Sequence, residues 1–289
     1  MIKFTKILGL ILIFSTFSSV SSAQIEMEEI KNKGTQNLYV TGFYNYYPFG
    51  YFDKYNAYHG VLTDFMKEFA EKGMYRLIYL NSSNNYEDTI REFSKGDGDV
   101  VLGIYNETSL YMDLKYIYPA AIDNPVHLVM LPSRIREIKA IDDLKKLKGA
   151  IHSIERFGDY VNNQLKDFNI EYIDNSYDLY GKLMTGEIDF IFTSFYFGVI
   201  ETSKLGLRSQ VAFSKQSIWV APLFIGISKA SFHRDYMVHS LSRMLEKPEA
   251  QEKIKNKIME MLKQVEIENA GTVPPTYINT KEEINTIDN

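Results

Sequence analysis

The sequence predicts an α/β protein built as two lobes, and two observations carry that prediction. A strand, a helix and a second strand follow one another over residues 37–80. A helix-to-strand unit then occurs twice, 90 residues apart. Alternating strands and helices imply a largely parallel sheet with helices packed on it.

Residues 1–23 stand apart from that pattern. Lys3 and Lys6 give a basic start, Ile7 to Phe17 is an apolar run of 11 residues, and small residues from Ser18 to Ala23 follow. This is the layout of a secretory signal peptide, with an apolar core too short to span a bilayer. The alternative is an uncleaved anchor. Cleavage after Ala23 leaves residues 24–289, and no later segment of the sequence is apolar enough to cross a membrane. The sequence has no cysteine, so neither a disulfide framework nor a thiol for lipid attachment is available. A freely diffusing periplasmic monomer is the expectation.

In order along the chain, "NLYVTGFY" (37–44) reads as the first strand. "GVLTDFMKEFAEKG" (60–73) reads as a helix with Leu62, Phe65, Met66 and Phe69 on one face, ended by Gly73. "YRLIYL" (75–80) is the second strand. The repeated unit is "YEDTIREFSKGDGDVVLG" (86–103) and "YDLYGKLMTGEIDFIFTS" (177–194). Each has a tyrosine and acidic residues, a short amphipathic helix, and Gly-x-x-Asp leading into an apolar strand. Two such matches in like contexts suggest two lobes of the same build.

Between the repeats, an apolar strand (127–131) gives way at Pro132 to a charged connection, and the first lobe crossing is expected near 127–132. "IDDLKKLKG" reads as a short helix before a strand near 150–153. "SIWVAPLFIGISKAS" is expected to return the chain to the first lobe around 217–225. Residues 235–264 read as two amphipathic helices interrupted at Pro248, and 266–289 as a loose polar tail. The resulting division is 24–127 for lobe one, 128–220 for lobe two, and 221–265 for the return to lobe one.

Formal charge is −5 and no basic face stands out, which argues against nucleic acid as a partner. The five histidines show no i, i+4 pair and have no cysteine companions, so no metal site or other cofactor is expected. The sequence holds 21 Tyr and 18 Phe but one Trp, and "YNYYPFGYFD" (44–53) alone puts six rings around Pro48. Proline and glycine argue against a buried strand there, and the rings argue against a solvated loop.

The chain resembles a family 3 extracellular solute-binding protein, with the type II periplasmic binding fold. The residues that carry the resemblance are "YYPFGYF", "HGVLTDFMKEFA", "YEDTIREF", "GDGD" into a strand, "YIYPAA", "AIDDLKKLKG" and "GEIDFIF", in that order over roughly 36–264. It implies a clamshell of two α/β lobes joined by two crossing strands, closing on a small solute by hinge motion. It also implies delivery of that solute to an ABC-type membrane permease. By the same resemblance, Tyr46 and Tyr86 line the cleft and stack on the ligand. Tyr105, Glu107 and Tyr111 after the first Gly-x-x-Asp strand join the expected ligand contacts, with Arg156 and Ser194 from lobe two. Phe49 reads as core, while Tyr44, Tyr47 and Tyr51 fit either core or ligand contact.

The chain also departs from the family. Amino-acid binders hold the ligand carboxylate with an arginine where this sequence has Leu110 or Tyr111, and no arginine lies between Arg91 and Arg134. The family's ammonium-binding aspartate is Ser194 here, and its Gly-Thr turn is replaced by "SIERFG" (153–158). A buried charge without a partner costs several kcal/mol, so the usual zwitterion clamp cannot operate. Either Arg156 supplies a carboxylate-binding cation, or the ligand is not an α-amino acid; a solvated surface role for Arg156 stands equal with the first. Two further readings remain. One is a periplasmic enzyme on this fold, like the dehydratases of cyclic diene acids, for which Glu107, Glu155 and His152 are the candidate acid–base groups, each reading better as structural. The other is a secreted interaction or sensor module that has lost its ligand. The reading carried forward is a binding protein, not an enzyme.

Overall fold

A computed structural model describes residues 36–43, 45–80, 89–91 and 93–277. The expected signal segment, Tyr44 and Tyr86 lie outside the described residues. Strand β1 (Gln36–Gly42) buries Leu38 and Val40 on one side, as alternation requires. The ring-rich stretch forms a small antiparallel sheet of β2 (Asn45–Tyr46), β3 (Gly50–Phe52) and β4 (Tyr58–His59). Pro48 and Gly50 thus do not interrupt a long strand. Pro48 occupies the turn, where Phe49 N–H donates to Tyr46 C=O at 2.8 Å, and Gly50 makes room for a ring. A Cβ on Gly50 or Gly42 would fall within 2.0 or 2.1 Å of the Tyr58 hydroxyl, so that ring is wedged between two glycines.

Helix α1 (Thr63–Gly73) buries Phe65, Met66 and Phe69, the face expected from its spacing. Its left-handed cap falls on Met74 (φ 54°), one residue beyond the expected Gly73. Strand β5 (Tyr75–Tyr79) follows, and later β6 (Val100–Tyr105) and β7 (Leu114–Tyr116). In the second lobe β8 (Pro125–Met130) leads to a 3₁₀ turn at Ile141–Lys146 and β9 (Lys148–His152). Then come α2 (Gly158–Leu165), β10 (Asn169–Ile173), α3 (Ser176–Thr185), β11 (Phe190–Ser194), α4 (Phe195–Lys204), β12 (Ala212–Phe213) and β13 (Trp219–Val220). Strand β14 (Leu223–Ser228), α5 (Arg234–Leu245) and α6 (Pro248–Glu268) complete the chain.

The first sheet has the order β5-β1-β6-β14-β7 and the second β10-β9-β11-β8-β12, with β13 also on β8. Strand β8 lies wholly in the second sheet, so the crossing falls before Pro125, earlier than the expected 127–132. The return falls between β13 and β14. The two crossing segments touch: Ala221 N–H donates to Asn124 C=O at 2.8 Å, and Ile122 bridges Leu223.

The repeated Gly-x-x-Asp has one structural role in both lobes. Gly96 (φ 93°) and Gly186 (φ 75°) take the left-handed conformation that a side chain resists. Asp99 then donates its amide to Tyr39 C=O at 2.8 Å, and its carboxylate accepts Tyr39 N–H at 2.9 Å. Asp189 does the same with Lys148, at 2.7 and 2.9 Å. Each aspartate stitches the start of its strand to a neighbouring chain segment that would otherwise carry an unpaired N–H.

Helix α6 begins with Pro248 in its first turn, where a missing N–H costs nothing. It packs on α1 through Lys253–Glu68 and Lys257–Asp64 pairs, both 3.6 Å, and also lies along α4 of the other lobe. The structure departs here from the loose tail expected after residue 265. Residues 266–268 finish α6, and the chain beyond packs on lobe two: a Cβ on Gly206 would meet Thr272 C=O at 2.4 Å, and one on Gly181 the Tyr277 ring at 2.8 Å. Tyr277 also meets the Tyr177 ring at 5.2 Å between centroids.

Candidate functional site

The site is built from one short segment of lobe two meeting the end of one strand of lobe one. After β9 the chain turns at once, with Glu155 N–H donating to His152 C=O at 2.8 Å. Phe157 (φ 58°) and Gly158 (φ 75°) follow in left-handed conformations. For a phenylalanine that conformation costs about 1–3 kcal/mol. The cost is offset by burial of the ring, 2% exposed, edge-on to Tyr105 at 6.2 Å. Gly158 cannot be larger without moving lobe one, since its Cβ would lie 2.8 Å from Asn106 C=O.

Five fully buried side chains then close a ring of hydrogen bonds across the lobes. The Tyr46 hydroxyl donates to Glu155 Oε1 at 3.1 Å and pairs with the Tyr105 hydroxyl at 2.8 Å. Ser194 N–H donates to the same Glu155 Oε1 at 2.7 Å, and Ser194 Oγ–H to Asn124 Oδ1. Asn124 Nδ2 donates to the Tyr105 hydroxyl at 3.3 Å, completing the circuit. Either hydroxyl of the Tyr46–Tyr105 pair can be the donor, since each carries one proton and can also accept. Ser194 is also the N-cap of α4, its Oγ accepting Phe197 N–H at 3.4 Å.

Burial dominates the electrostatics. It pushes the Glu155 carboxyl up to about 8, against the lowering effect of the Thr193 hydroxyl, the Ser194 amide and the Tyr46 hydroxyl. Glu155 is therefore mainly neutral at pH 7. Its Oε2 has no hydrogen-bond partner. Burial, then the neighbouring Tyr105 and Glu155, raise the Tyr46 hydroxyl well above its usual range, and burial does the same for Tyr105.

A second lobe-to-lobe contact sits beside the first. Asp159 Oδ2 accepts Thr108 N–H at 2.7 Å and Thr108 Oγ–H at 2.6 Å, and Asp159 N–H donates to Asn106 C=O at 3.1 Å. The Thr108 hydroxyl and amide hold the Asp159 carboxyl below its ordinary value.

The structure brings Tyr46, Tyr105 and Ser194 together, three of the seven residues expected to contact ligand. The Arg156 guanidinium lies over the Tyr172 ring of the edge strand β10, 5.9 Å from the centroid. Its neighbour Glu155 takes the central position. Tyr111 is exposed, with its hydroxyl donating to Asn106 Oδ1 at 2.6 Å. Glu107 is half-buried, its amide donating to the Tyr116 hydroxyl at 2.9 Å. Tyr86 lies outside the described residues. His152 is buried, its Nδ1 accepting Ile154 N–H at 3.2 Å, and burial lowers its pKa. Asn124 was not anticipated; the only signal was an amide standing in the apolar run that leads into Pro125.

Two α/β lobes, two crossing segments and polar side chains converging between the lobes define the type II periplasmic binding fold. Solved structures of that fold are similar to this chain. A binding component of an ABC transporter from Wolinella succinogenes, complexed with lysine, is 17% identical with a TM-score of 0.61, over 85% of this chain and 97% of that one. An ancestral arginine-binding protein bound to arginine is 19% identical with a TM-score of 0.60, over 76% and 97%. An ancestral amino-acid-binding protein, a precursor of cyclohexadienyl dehydratase, is 19% identical with a TM-score of 0.59, over 80% and 98%. No family model matches the sequence, and no curated protein matches it.

Proposed function

We propose that this protein is a periplasmic solute-binding protein that captures a small polar organic solute between its lobes and delivers it to an ABC importer. In this reading residues 1–23 are removed on export and the remainder works as a monomer. The observation that carries it is the buried polar circuit of Tyr46, Glu155, Ser194, Asn124 and Tyr105. A lobe contact meant only for stability gains little from five buried polar side chains, since apolar groups of the same shape serve as well. Groups that must exchange partners with a solute have to be polar. The amino acids bound by similar structures supply the general class of solute.

Mass spectrometry of small molecules released from protein purified from its native source tests the reading. A stoichiometric solute, whose addition to stripped protein raises the unfolding temperature, is the expected result. Protein that carries no solute and gains no stability from any extract fraction would count against it.

A second reading has one observation of its own. Glu155 keeps its proton at neutral pH, as a general acid must, and an enzyme like cyclohexadienyl dehydratase needs such a group. None of the side chains bonded to Glu155 is a base, which favours binding over catalysis. Loss of a cyclic diene acid on incubation with the protein, abolished in Glu155→Gln, would reverse that preference.

A further inference from the structure

We infer that the solute is an organic cation without a carboxylate, its charged nitrogen held by Glu155 and its carbon frame by the rings of Tyr46, Tyr105, Phe157 and Phe197. This inference rests on the solute-binding reading above.

The argument starts from what surrounds Glu155. Its Oε1 takes two donors, the Tyr46 hydroxyl and the Ser194 amide, the second at the N-terminus of α4. Donors converging on one oxygen are the usual setting of an ionised carboxylate. Its Oε2 is fully buried and makes no hydrogen bond of good geometry, although the Thr193 hydroxyl lies near enough to act on the carboxyl. Among the described residues, the charged and titratable groups that act on Glu155 include Tyr46 from β2, Tyr105 from β6, Tyr180 from α3 and Glu201 from α4, and the buried His152 of β9 lies beside them against Phe197. None is a cation, and Glu201 opposes ionisation further. The one basic side chain of α4, Lys204, pairs with Glu201 at 2.9 Å and lies over the Tyr47 ring. Among the hydrogen bonds of the described residues, none joins a basic side chain to Glu155.

The rings argue the same way. Tyr46 meets Phe197 at 5.1 Å and Tyr105 meets Phe157 at 6.2 Å, so aromatic side chains flank the carboxyl from both lobes. Aromatic faces attract cations, most strongly when water is excluded. A solute carboxylate would find no basic side chain among the hydrogen bonds of the circuit, and a buried charge without a counter-charge costs several kcal/mol. Ion exchange balances the charge. The Glu155 O–H bond breaks, its proton leaves to solvent, and one ammonium group takes the place that the proton held, a second ammonium of a diamine keeping its counter-ion in solvent. The proton that burial retains on Glu155 at neutral pH is the one released.

Calorimetry with cadaverine, lysine and glutarate separates the chemistries, because they offer amines alone, amines with a carboxylate, and carboxylates alone. Wild type and Glu155→Gln are titrated at pH 7 in phosphate and in Tris, whose ionisation heats differ. Cadaverine should bind at least about tenfold tighter than lysine, glutarate should not bind, and about tenfold or more affinity should be lost in Glu155→Gln. Wild type should release a proton on binding, which the two buffers reveal even if the variant fails to fold. Cadaverine that does not bind, lysine or glutarate that binds as tightly, or binding without proton release overturns the inference. A carboxylate-bearing solute released from native protein would overturn it while leaving the solute-binding reading standing. Absence of any solute would sink that earlier reading instead.

Discussion

Tyr46 and Glu155, 109 residues apart in the chain, meet between the lobes with the hydroxyl donating to the carboxyl at 3.1 Å. The pair is worth little as a bond between neutral groups, about 1 kcal/mol. Its importance is positional. It places a carboxyl that burial has neutralised at the point where the two lobes touch.

The pH dependence of stability follows with a definite sign. Burial pushes the Glu155 carboxyl up to about 8 in the folded protein, from the 4.5 of an ordinary glutamate. A raised folded value means that the folded state holds the proton more tightly. The stabilisation is therefore fully present below about 4.5 and is lost as pH rises toward 8. The upper bound on that loss is about 5 kcal/mol. Urea unfolding should give a midpoint that falls between pH 5 and 8 in wild type and falls much less in Glu155→Gln. Parallel curves for the two proteins would show that Glu155 is not the group responsible.

Removing the Tyr46 hydroxyl tests the circuit. Tyr46→Phe keeps the ring but leaves Glu155 and Tyr105 each short of a partner inside a dry contact, at a cost of about 1–3 kcal/mol. Combined with Glu155→Gln the effects should not add, because both changes break the same circuit. A double-mutant cycle by urea unfolding checks this, and additivity within error would mean that the two side chains act independently.

How far the sequence disclosed these features depends on the type of signal. The repeated Gly-x-x-Asp was readable because a left-handed glycine and an aspartate that stitches the sheet recur at fixed spacing in both lobes. Tyr46 and Ser194 were readable through resemblance, since each sits at an element end. The sequence left Arg156 open between a ligand contact and a solvated surface role. In non-helical chain, adjacent side chains point to opposite sides, and the turn through Phe157 and Gly158 sends Glu155 inward and Arg156 toward Tyr172. The docked tail was invisible for another reason: the notch for Tyr277 is formed by Gly181, far away in the chain, and no local periodicity records it.

Gly158 should be nearly irreplaceable. Its φ of 75° disfavours any side chain, and the new Cβ would meet Asn106 C=O of the other lobe at 2.8 Å. Gly158→Ala is expected to cost about 1–3 kcal/mol. Because part of that penalty exists only while the lobes touch, the variant should also be more open. Small-angle scattering would show a larger radius of gyration than wild type. An unchanged radius with the full loss of stability would assign the cost to the turn alone.

The segment after α6 should act as a third tie between the lobes. Helix α6 is anchored on lobe one by Lys253 and Lys257, and the chain beyond it is anchored on lobe two through Thr272 at Gly206 and Tyr277 at Gly181. Arg208 of lobe two reaches Glu266 at 3.7 Å, an exposed pair of little energetic weight. The Tyr277 ring carries more, since it packs against the second core cluster. Removing it exposes apolar area worth about 1–2 kcal/mol. Opening the clamshell must either release that ring or bend the end of α6. Tyr277→Ala should therefore shift the population toward the open form and speed solute release, with little change in how the closed site holds its solute. Stopped-flow dissociation measures the rate, and scattering of the solute-free protein measures the opening. Faster dissociation together with a larger solute-free radius is the expected pair of results. A variant that loses about 1–2 kcal/mol of stability while both readouts stay at wild-type values would make Tyr277 an ordinary packing residue of lobe two.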